Sequence, residues 1–333
     1  MIRKLALFVA VGLVAAACSS GSATDPSSST TTVASTTTTA PSPATSRPAT
    51  TTTTPDDGFP VTIEAGNGPV TIDSRPTRIV SISPTSTEVL FAIGAGEQVV
   101  AVDSLSTFPE GTPVTELSGF TPSVEAIASF EPDLVFLSFD PGDVIAGLEA
   151  LGIPVILHSA PADLEGAYRQ WEQTGVATGQ IAEAAILVAE VETAIALAVD
   201  SLPSDAAFLT YYYELDQSLY SATSTTFIGD VLSGTMMQNI ADKADEDGYG
   251  YPQLSSEYVV SSNPDLILLA DTKCCGQNAD TVADRPGWGS MKAVANDRIV
   301  ELDDDIASRW GPRVAELVEQ VVAAILELDT VSS

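Results

Sequence analysis

Two glutamates stand in matching surroundings 132 residues apart. Glu125 lies in Ser123-Val-Glu-Ala-Ile-Ala-Ser-Phe-Glu-Pro132-Asp133-Leu134-Val-Phe-Leu, and Glu257 in Ser255-Ser-Glu-Tyr-Val-Val-Ser-Ser-Asn-Pro264-Asp265-Leu266-Ile-Leu-Leu. In each copy a Ser can cap a helix, and the Glu sits in the first turn, where the helix dipole favours negative charge. Pro-Asp ends the helix and an apolar run begins a buried strand. The chain therefore has two related halves, each presenting one carboxylate at an equivalent, exposed place. A Glu that only supports its own helix is the plain alternative. The other chemistry-bearing residues are few. Asp305 and Arg309 are one helical turn apart and can form an ordinary helical ion pair. Cys274 and Cys275 are adjacent and follow the strand Leu266 to Ala270 at its carboxyl end, where ligands of open α/β sheets bind. In an oxidising compartment a disulfide between them is favoured over two free thiols. A metal is disfavoured, because no His or third Cys lies near. His158 is the only histidine and reads as a satisfied loop residue at a strand end. There is no G-x-S-x-G elbow, no P-loop and no G-x-G-x-x-G, so the residues point to recognition and not to catalysis.

The elements that must position these residues alternate strand with helix. Phe59-Pro-Val-Thr-Ile-Glu and Val70-Thr-Ile read as a hairpin around Asn67-Gly68. Arg78 to Ile82 is a strand, Thr85 to Glu88 a capping box, and Val89 to Ile93 a short helix stopped by Gly94 and Gly96. Strands follow at Gln98 to Val102, Leu134 to Leu137 and Ile153 to Leu157, a pattern that predicts a parallel sheet covered on both faces. Ile181, Ala184, Val188, Val191, Ile195, Ala198 and Leu202 recur at steps of three and four until Pro203, which predicts a helix of about 22 residues, on the order of 33 Å long. It is a strut between the halves. A second alternating lobe opens at Phe208-Leu-Thr-Tyr-Tyr and runs through Phe227 to Leu232, Leu266 to Leu269 and Arg298 to Leu302, and a last helix spans Pro312 to about Leu328. The fold class expected is α/β, with two Rossmann-like lobes, parallel sheets, one rigid connecting helix and a ligand cleft between the lobes.

The flanking sequence sets the compartment. Arg3 and Lys4 precede an apolar run, Leu5 to Ala17, too short to span a bilayer as a mature helix, and residues 1–17 read as a signal peptide. The run ends in Ala15-Ala16-Ala17-Cys18, which resembles the lipoprotein box whose Cys is acylated; ordinary cleavage without lipid is the alternative. Residues 18–57, almost all Ser, Thr, Pro and Ala, cannot make a core and read as a disordered tether. The remaining divisions are an N-terminal lobe at 58–178, the connecting helix at 179–202 and a C-terminal lobe at 203–333. With 45 Asp and Glu against 13 Lys and Arg, a net charge of −32 excludes nucleic acid as a partner. Asp303-Asp-Asp305 and Asp242 to Gly248 lack calcium-loop spacing and read as solvated loops.

The order and spacing of Arg78-Ile-Val-Ser-Ile-Ser-Pro-Thr-Ser-Thr-Glu88, the two Glu-containing Pro-Asp-Leu repeats, Arg285-Pro-Gly-Trp288 and Asp305-Ile-Ala-Ser-Arg309-Trp-Gly-Pro-Arg313 resemble the cobalamin and ferric siderophore binding proteins of ABC importers, over about residues 59 to 328. The resemblance implies capture of a corrinoid, or alternatively of a ferric siderophore or heme, in the interlobe cleft. It also implies delivery by a lipid-anchored monomer, without a cofactor of its own, to a membrane permease and its ATPase. By the same resemblance Glu125 and Glu257 match acidic residues that dock on permease arginines, and Asp305 and Arg309 match polar ligand contacts. Tyr251 matches a cleft aromatic, Phe120 and Phe139 fall on or beside two others, and Leu105 replaces a Tyr. Tyr211 to Tyr213 lie at the end of the first strand of the second lobe, with Tyr212 taken as the cleft member. Cys274 and Cys275 complete the expected ligand set as a flat, stiff disulfide surface.

Overall fold

In a computed structural model of the chain, residues 58–202 and 209–331 are described. The signal peptide, Cys18, the tether and the junction at 203–208 lie outside those residues. Folded structure opens with an antiparallel hairpin, β1 (Val61–Ala65) and β2 (Gly68–Ile72). Its two-residue turn is Gly66-Asn67, not Asn67-Gly68, because Gly68 already pairs with Ala65. Asn67 is drawn elsewhere. Its side chain brackets the edge strand of the N-terminal lobe's sheet, donating to the Val155 carbonyl at 2.9 Å and accepting from the Leu157 amide at 3.1 Å. Gly66 donates to the Leu157 carbonyl, and a β-carbon there would sit 2.8 Å from that oxygen.

The N-terminal lobe carries a sheet of five parallel strands, β3 (Ile79–Ile82), β4 (Val99–Asp103), β5 (Val114–Leu117), β6 (Leu134–Leu137) and β7 (Val155–Leu157), in the order β5-β4-β3-β6-β7. The C-terminal lobe has β8 (Thr210–Glu214), β9 (Gln238–Asn239), β10 (Leu266–Leu269) and β11 (Ile299–Glu301) in the order β11-β10-β8-β9, again parallel. Each lobe's first strand is central and its neighbours lead away in opposite directions, so each sheet has a switch point whose crevice opens at the carboxyl ends of the strands. The lobe helices are α1 (Pro84–Ala92), α2 (Val124–Ala128), α3 (Val144–Glu149) and α4 (Leu164–Thr178), then, past the connecting helix α5 (Ile181–Asp200), α6 (Phe227–Ser233), α7 (Ser256–Ser262), α8 (Thr272–Cys275), α9 (Ala279–Ala283), α10 (Lys292–Ala295), α11 (Asp304–Ala307) and α12 (Val314–Val331).

The strut exists, two residues shorter than its periodicity predicts. Gly179, at φ +74°, closes α4 and turns the chain straight into α5. Gly175 lets the two helices touch, since a β-carbon there would meet that of Ala184 at 2.5 Å. On its other side α5 packs on α12, so the helix joins the lobes along their backs. The apolar core follows the same plan. One face of each sheet, through Ile79, Leu134 and Phe136 in the first and Tyr211, Tyr213 and Leu268 in the second, shares a continuous core with α4, α5 and α12. The opposite faces form separate cores, one per lobe. An apolar core that is common to both lobes opposes wide hinge opening, because parting them would expose it to water.

The repeat is structural. Ser123 and Ser255 cap α2 and α7 through their hydroxyls. Glu131 and Asn263 end the two repeats in left-handed backbone at φ +51° and +49°. Asp133 then accepts from the Thr77 amide and hydroxyl, and Asp265 from those of Thr210. Both aspartates therefore tie the second strand of the unit to the start of the central strand. The expected capping box at Thr85 does not form. Ser83 caps α1, with its hydroxyl accepting from the Ser86 amide and Pro84 at the first helical position, which suits proline's missing N–H. Glu88 is free for another task.

Candidate ligand cleft

The carboxyl ends of both sheets converge on a cleft of about 420 Å³. The loop after β3 contributes Ser83 to Thr85; β4 contributes Asp103 and, beyond it, Leu105; the loops after β5 and β6 bring Phe120 and Phe139. From the other lobe come Leu215 after β8, Ala270 and Cys274 after β10, and Asp304, Asp305, Arg309 and Trp310 after β11. Phe120 is 70% exposed and Phe139 42%, which is unusual for large apolar side chains and marks a rim awaiting an apolar partner.

The floor is held by charge across the lobes. Glu88, buried on α1, receives Arg313 through Nε at 3.0 Å and Nη2 at 2.6 Å, and Arg309 Nη1 at 3.1 Å. Arg309 also binds Asp305 and the Leu105 carbonyl. Arg313 stacks over the Phe108 ring, 4.2 Å from its centroid, and its hydrogen bonds with Glu88 raise its pKa further. Two arginines of the C-terminal lobe thus close on one carboxylate of the N-terminal lobe. Trp171 adds a bond from its indole to the Trp310 carbonyl, and the Trp310 indole returns one to Gln170.

The dicysteine loop is locked to the same turn. The Asp304 carboxylate accepts from the backbone amides of Thr272, Lys273 and Cys274, and Lys273 bridges Asp303 and Asp305. The hydrogen bond to Asp303 leads the causes that raise the Lys273 pKa. Cys274 and Cys275 are bonded to each other. Cys274 lines the cleft and Cys275 does not.

Phe120, Phe139, Cys274, Asp305 and Arg309 are therefore brought together, with Leu105 among them. Tyr212 is not. Its side chain is fully buried, packed edge-on against Trp288 in the core on one face of the second sheet, while the cleft is lined from beyond the end of β8. Tyr251 is partly exposed and packs on Tyr249, outside the cleft lining. His158 is buried beside Phe136 and bonded to Gln173, and burial lowers its pKa to about 4. Glu125 and Glu257 stand exposed in the first turns of α2 and α7. The backbone amide of Glu125, followed by the Ser123 hydroxyl, lowers its pKa. Trp288, from the Arg285 to Trp288 motif, pins the start of α7: its indole donates to Ser256 at 2.7 Å, next to Glu257, while Arg285 lies over the ring and forks onto Glu214. Sequence reasoning missed Glu88, Asp103 and Arg313. Glu88 carried the wrong local signal, since a Glu three residues after a Thr imitates a capping box.

This arrangement, two switch-point crevices facing each other across a shared floor, has a counterpart among known proteins. The model of the periplasmic binding protein family matches residues 79–306. The chain belongs to this family. It is similar to an uncharacterised ABC transporter substrate-binding lipoprotein of Bacillus subtilis, 31% identical over 80% of this chain and 86% of that protein. A cobalamin-binding protein of Halobacterium salinarum is 30% identical over 80% of this chain and 74% of its own length. Among solved structures, a periplasmic heme-binding protein of Roseiflexus sp. RS-1 in apo form matches with a TM-score of 0.64 and 26% identity, covering 76% of this chain and 98% of that one. This periplasmic binding protein is thus the extracytoplasmic substrate-binding component of an ABC importer. It works with a permease and ATPase, binds a small molecule and performs no catalysis.

Proposed function

We propose that this binding protein captures a corrinoid, held to the membrane through Cys18 and its tether, and presents it to the permease through Glu125 and Glu257. The observation that carries the ligand reading is the donor set of the cleft. No lining residue among those described is a His, Tyr, Met or free thiol, so a heme iron would find no protein axial ligand. The lining holds Asp103, Asp304 and Asp305 against Arg309 alone, which disfavours the carboxylates of heme and of anionic iron complexes. A corrinoid brings its cobalt already coordinated, a flat apolar body for Phe120, Phe139 and Trp310, and a fringe of amide N–H donors for carboxylates. The names of the Halobacterium relative and of the vitamin B12-binding protein of Yersinia pestis, 24% identical, agree with this choice.

Docking rests on the repeat. One exposed carboxylate per lobe, each at a helix start on the side where the strands end, lets a permease touch both lobes at once. Titration of the purified protein with cyanocobalamin, hemin and a ferric trihydroxamate tests the ligand. Cyanocobalamin is expected to bind with a Kd below about 1 μM and hemin to bind at least tenfold more weakly. Binding of the hydroxamate or hemin without cyanocobalamin refutes the corrinoid reading.

A further inference from the structure

The floor of the cleft contains a carboxylate that the interlobe ion cluster does not use. Asp103 ends β4, is fully buried and lines the cleft. One oxygen is fixed: Oδ1 accepts from the Leu105 amide at 2.8 Å, and Ser106 beside it acts with that amide to hold the carboxylate's charge against burial. Ser106 is itself held by Thr87. Oδ2 has no hydrogen-bond partner among the described residues. Arg309, whose charge acts on Asp103, gives its hydrogen bonds to Glu88, Asp305 and the Leu105 carbonyl and none to Oδ2. Beside Oδ2 the chain places Gly119. A β-carbon built there would meet Oδ2 at 3.5 Å and the Asp103 Cγ at 3.7 Å, and no other group within 4 Å. The residue above the orphan oxygen is thus the one that leaves room before it, and Phe120, the most exposed aromatic of the rim, follows directly.

We propose that Asp103 Oδ2 is a specificity-determining contact of this cleft, an acceptor that takes an N–H or O–H proton of the ligand. The assignment rests on the cleft being the ligand site, and it names what the ligand must carry: a neutral or cationic donor group, such as a primary amide, that reaches past the aromatic rim. A buried acceptor left unpaired disfavours the free state, so a donor that satisfies it is selected over an isostere that lacks one. Heme, whose edge offers carboxylates and no N–H or O–H donor, would leave Oδ2 unpaired.

Two substitutions test it from different sides. In Asp103→Asn the side-chain carbonyl stays with the Leu105 amide and turns an N–H toward the cleft, donor against donor. Gly119→Ala leaves Asp103 intact and fills the approach to Oδ2; its backbone is not left-handed, so alanine fits. Titration of wild type and both variants with cyanocobalamin, alongside thermal melts, is expected to show at least a tenfold loss of affinity in each at a melting temperature within about 3 °C of wild type. The double variant should be no weaker than Asp103→Asn alone, because both act on one contact. Wild-type affinity in both single variants overturns the proposal, as does a loss confined to Asp103→Asn that tracks a fall in melting temperature. If wild type takes the ferric hydroxamate and not cyanocobalamin, the corrinoid reading fails, and the same three proteins decide Asp103 with that ligand. Preference of wild type for hemin, or binding of none of the three, overturns both.

Discussion

The two lobes share a scaffold and differ in where they put charge. Their repeated parts are nearly superposable in role: a Ser cap, an exposed Glu, a left-handed residue and an Asp that clasps the central strand recur at the same spacing. At the strand ends the likeness stops. The N-terminal lobe meets the cleft with Phe120, Phe139, Leu105 and the buried Asp103, with Glu88 buried behind them. The C-terminal lobe meets it with Arg309, an acidic turn and Cys274 of the disulfide, with Arg313 on Glu88. A duplicated scaffold has kept its outward face common and specialised its inward one. That division is what a protein needs if it must show the same kind of carboxylate twice to one partner and hold an asymmetric ligand between.

The sharpest way to break this comparison is to reverse its common part. Glu125→Arg with Glu257→Arg should abolish ligand uptake by cells carrying the matching permease, while the purified protein keeps its affinity and melting temperature, since both side chains are exposed and contact nothing in the cleft. Each single reversal should retain part of the uptake. Loss of ligand binding in the purified double variant would mean that the glutamates serve the cleft and not a partner.

The asymmetric part can be broken at Glu88. Glu88→Gln strips Arg313 and Arg309 of their shared carboxylate within a buried interlobe contact, and breaking such a pair costs about 3 kcal/mol, which at this size lowers the melting temperature by roughly 6 to 12 °C. Glu214→Gln is its counterpart inside the C-terminal lobe, but Arg285 there has Asp271 at hand to take over, so the loss should be smaller. Melts of the two variants in parallel check the order. A larger effect at Glu214 would show that the lobes are fixed by their common apolar core and not by the arginine cluster.

How much of this was legible follows the same line. The symmetric half of the molecule could be read because it is local: caps, Pro-Asp stops, apolar runs and the period of α5 are short-range signals that appear twice, and the twofold appearance removes chance. The cleft was legible only through the family resemblance, which pointed to Phe120, Phe139, Asp305 and Arg309; the local sequence around them says no more than that the last two sit one helical turn apart. What escaped is long-range pairing. Glu88 meets residues 221 and 225 positions later, and nothing near it in sequence announces that. Tyr212 failed for a related reason: Tyr211 to Tyr213 lie within β8 with their rings buried against its two faces, whereas the cleft is lined from beyond the strand's end, at Leu215. Asp103 carried no signal at all, because an Asp ending a strand reads as the start of a turn.

The finest distinction between the lobes is in their response to acid. His158 is buried in the N-terminal lobe, and burial drops its pKa from 6.5 to about 4, so the folded state refuses a proton that the unfolded chain accepts. Stability from this group is full above about 6.5 and is lost as pH falls toward 4. Asp271, in the C-terminal lobe, behaves in the opposite sense. It is buried, both its oxygens lack a hydrogen-bond partner among the described residues, and burial, with Glu214 as the leading like charge beside it, raises its pKa from 3.8 to about 7 despite Arg285. Its contribution is full below about 3.8 and is lost as pH rises through 7. Between about 4 and 6.5 the two slopes oppose each other, and the whole protein should show a flat stability profile that hides both. His158→Gln should remove the acid loss and leave stability falling as pH rises; Asp271→Asn should do the reverse and stabilise the protein above pH 7. At about 1.4 kcal/mol per pKa unit the effect is bounded at roughly 3 to 4 kcal/mol for His158 and roughly 4 to 5 kcal/mol for Asp271, and urea unfolding at pH 4.5, 6 and 7.5 resolves them. Parallel profiles for the two variants would mean that the buried charges of the lobes are coupled through the shared core and not set independently by each lobe.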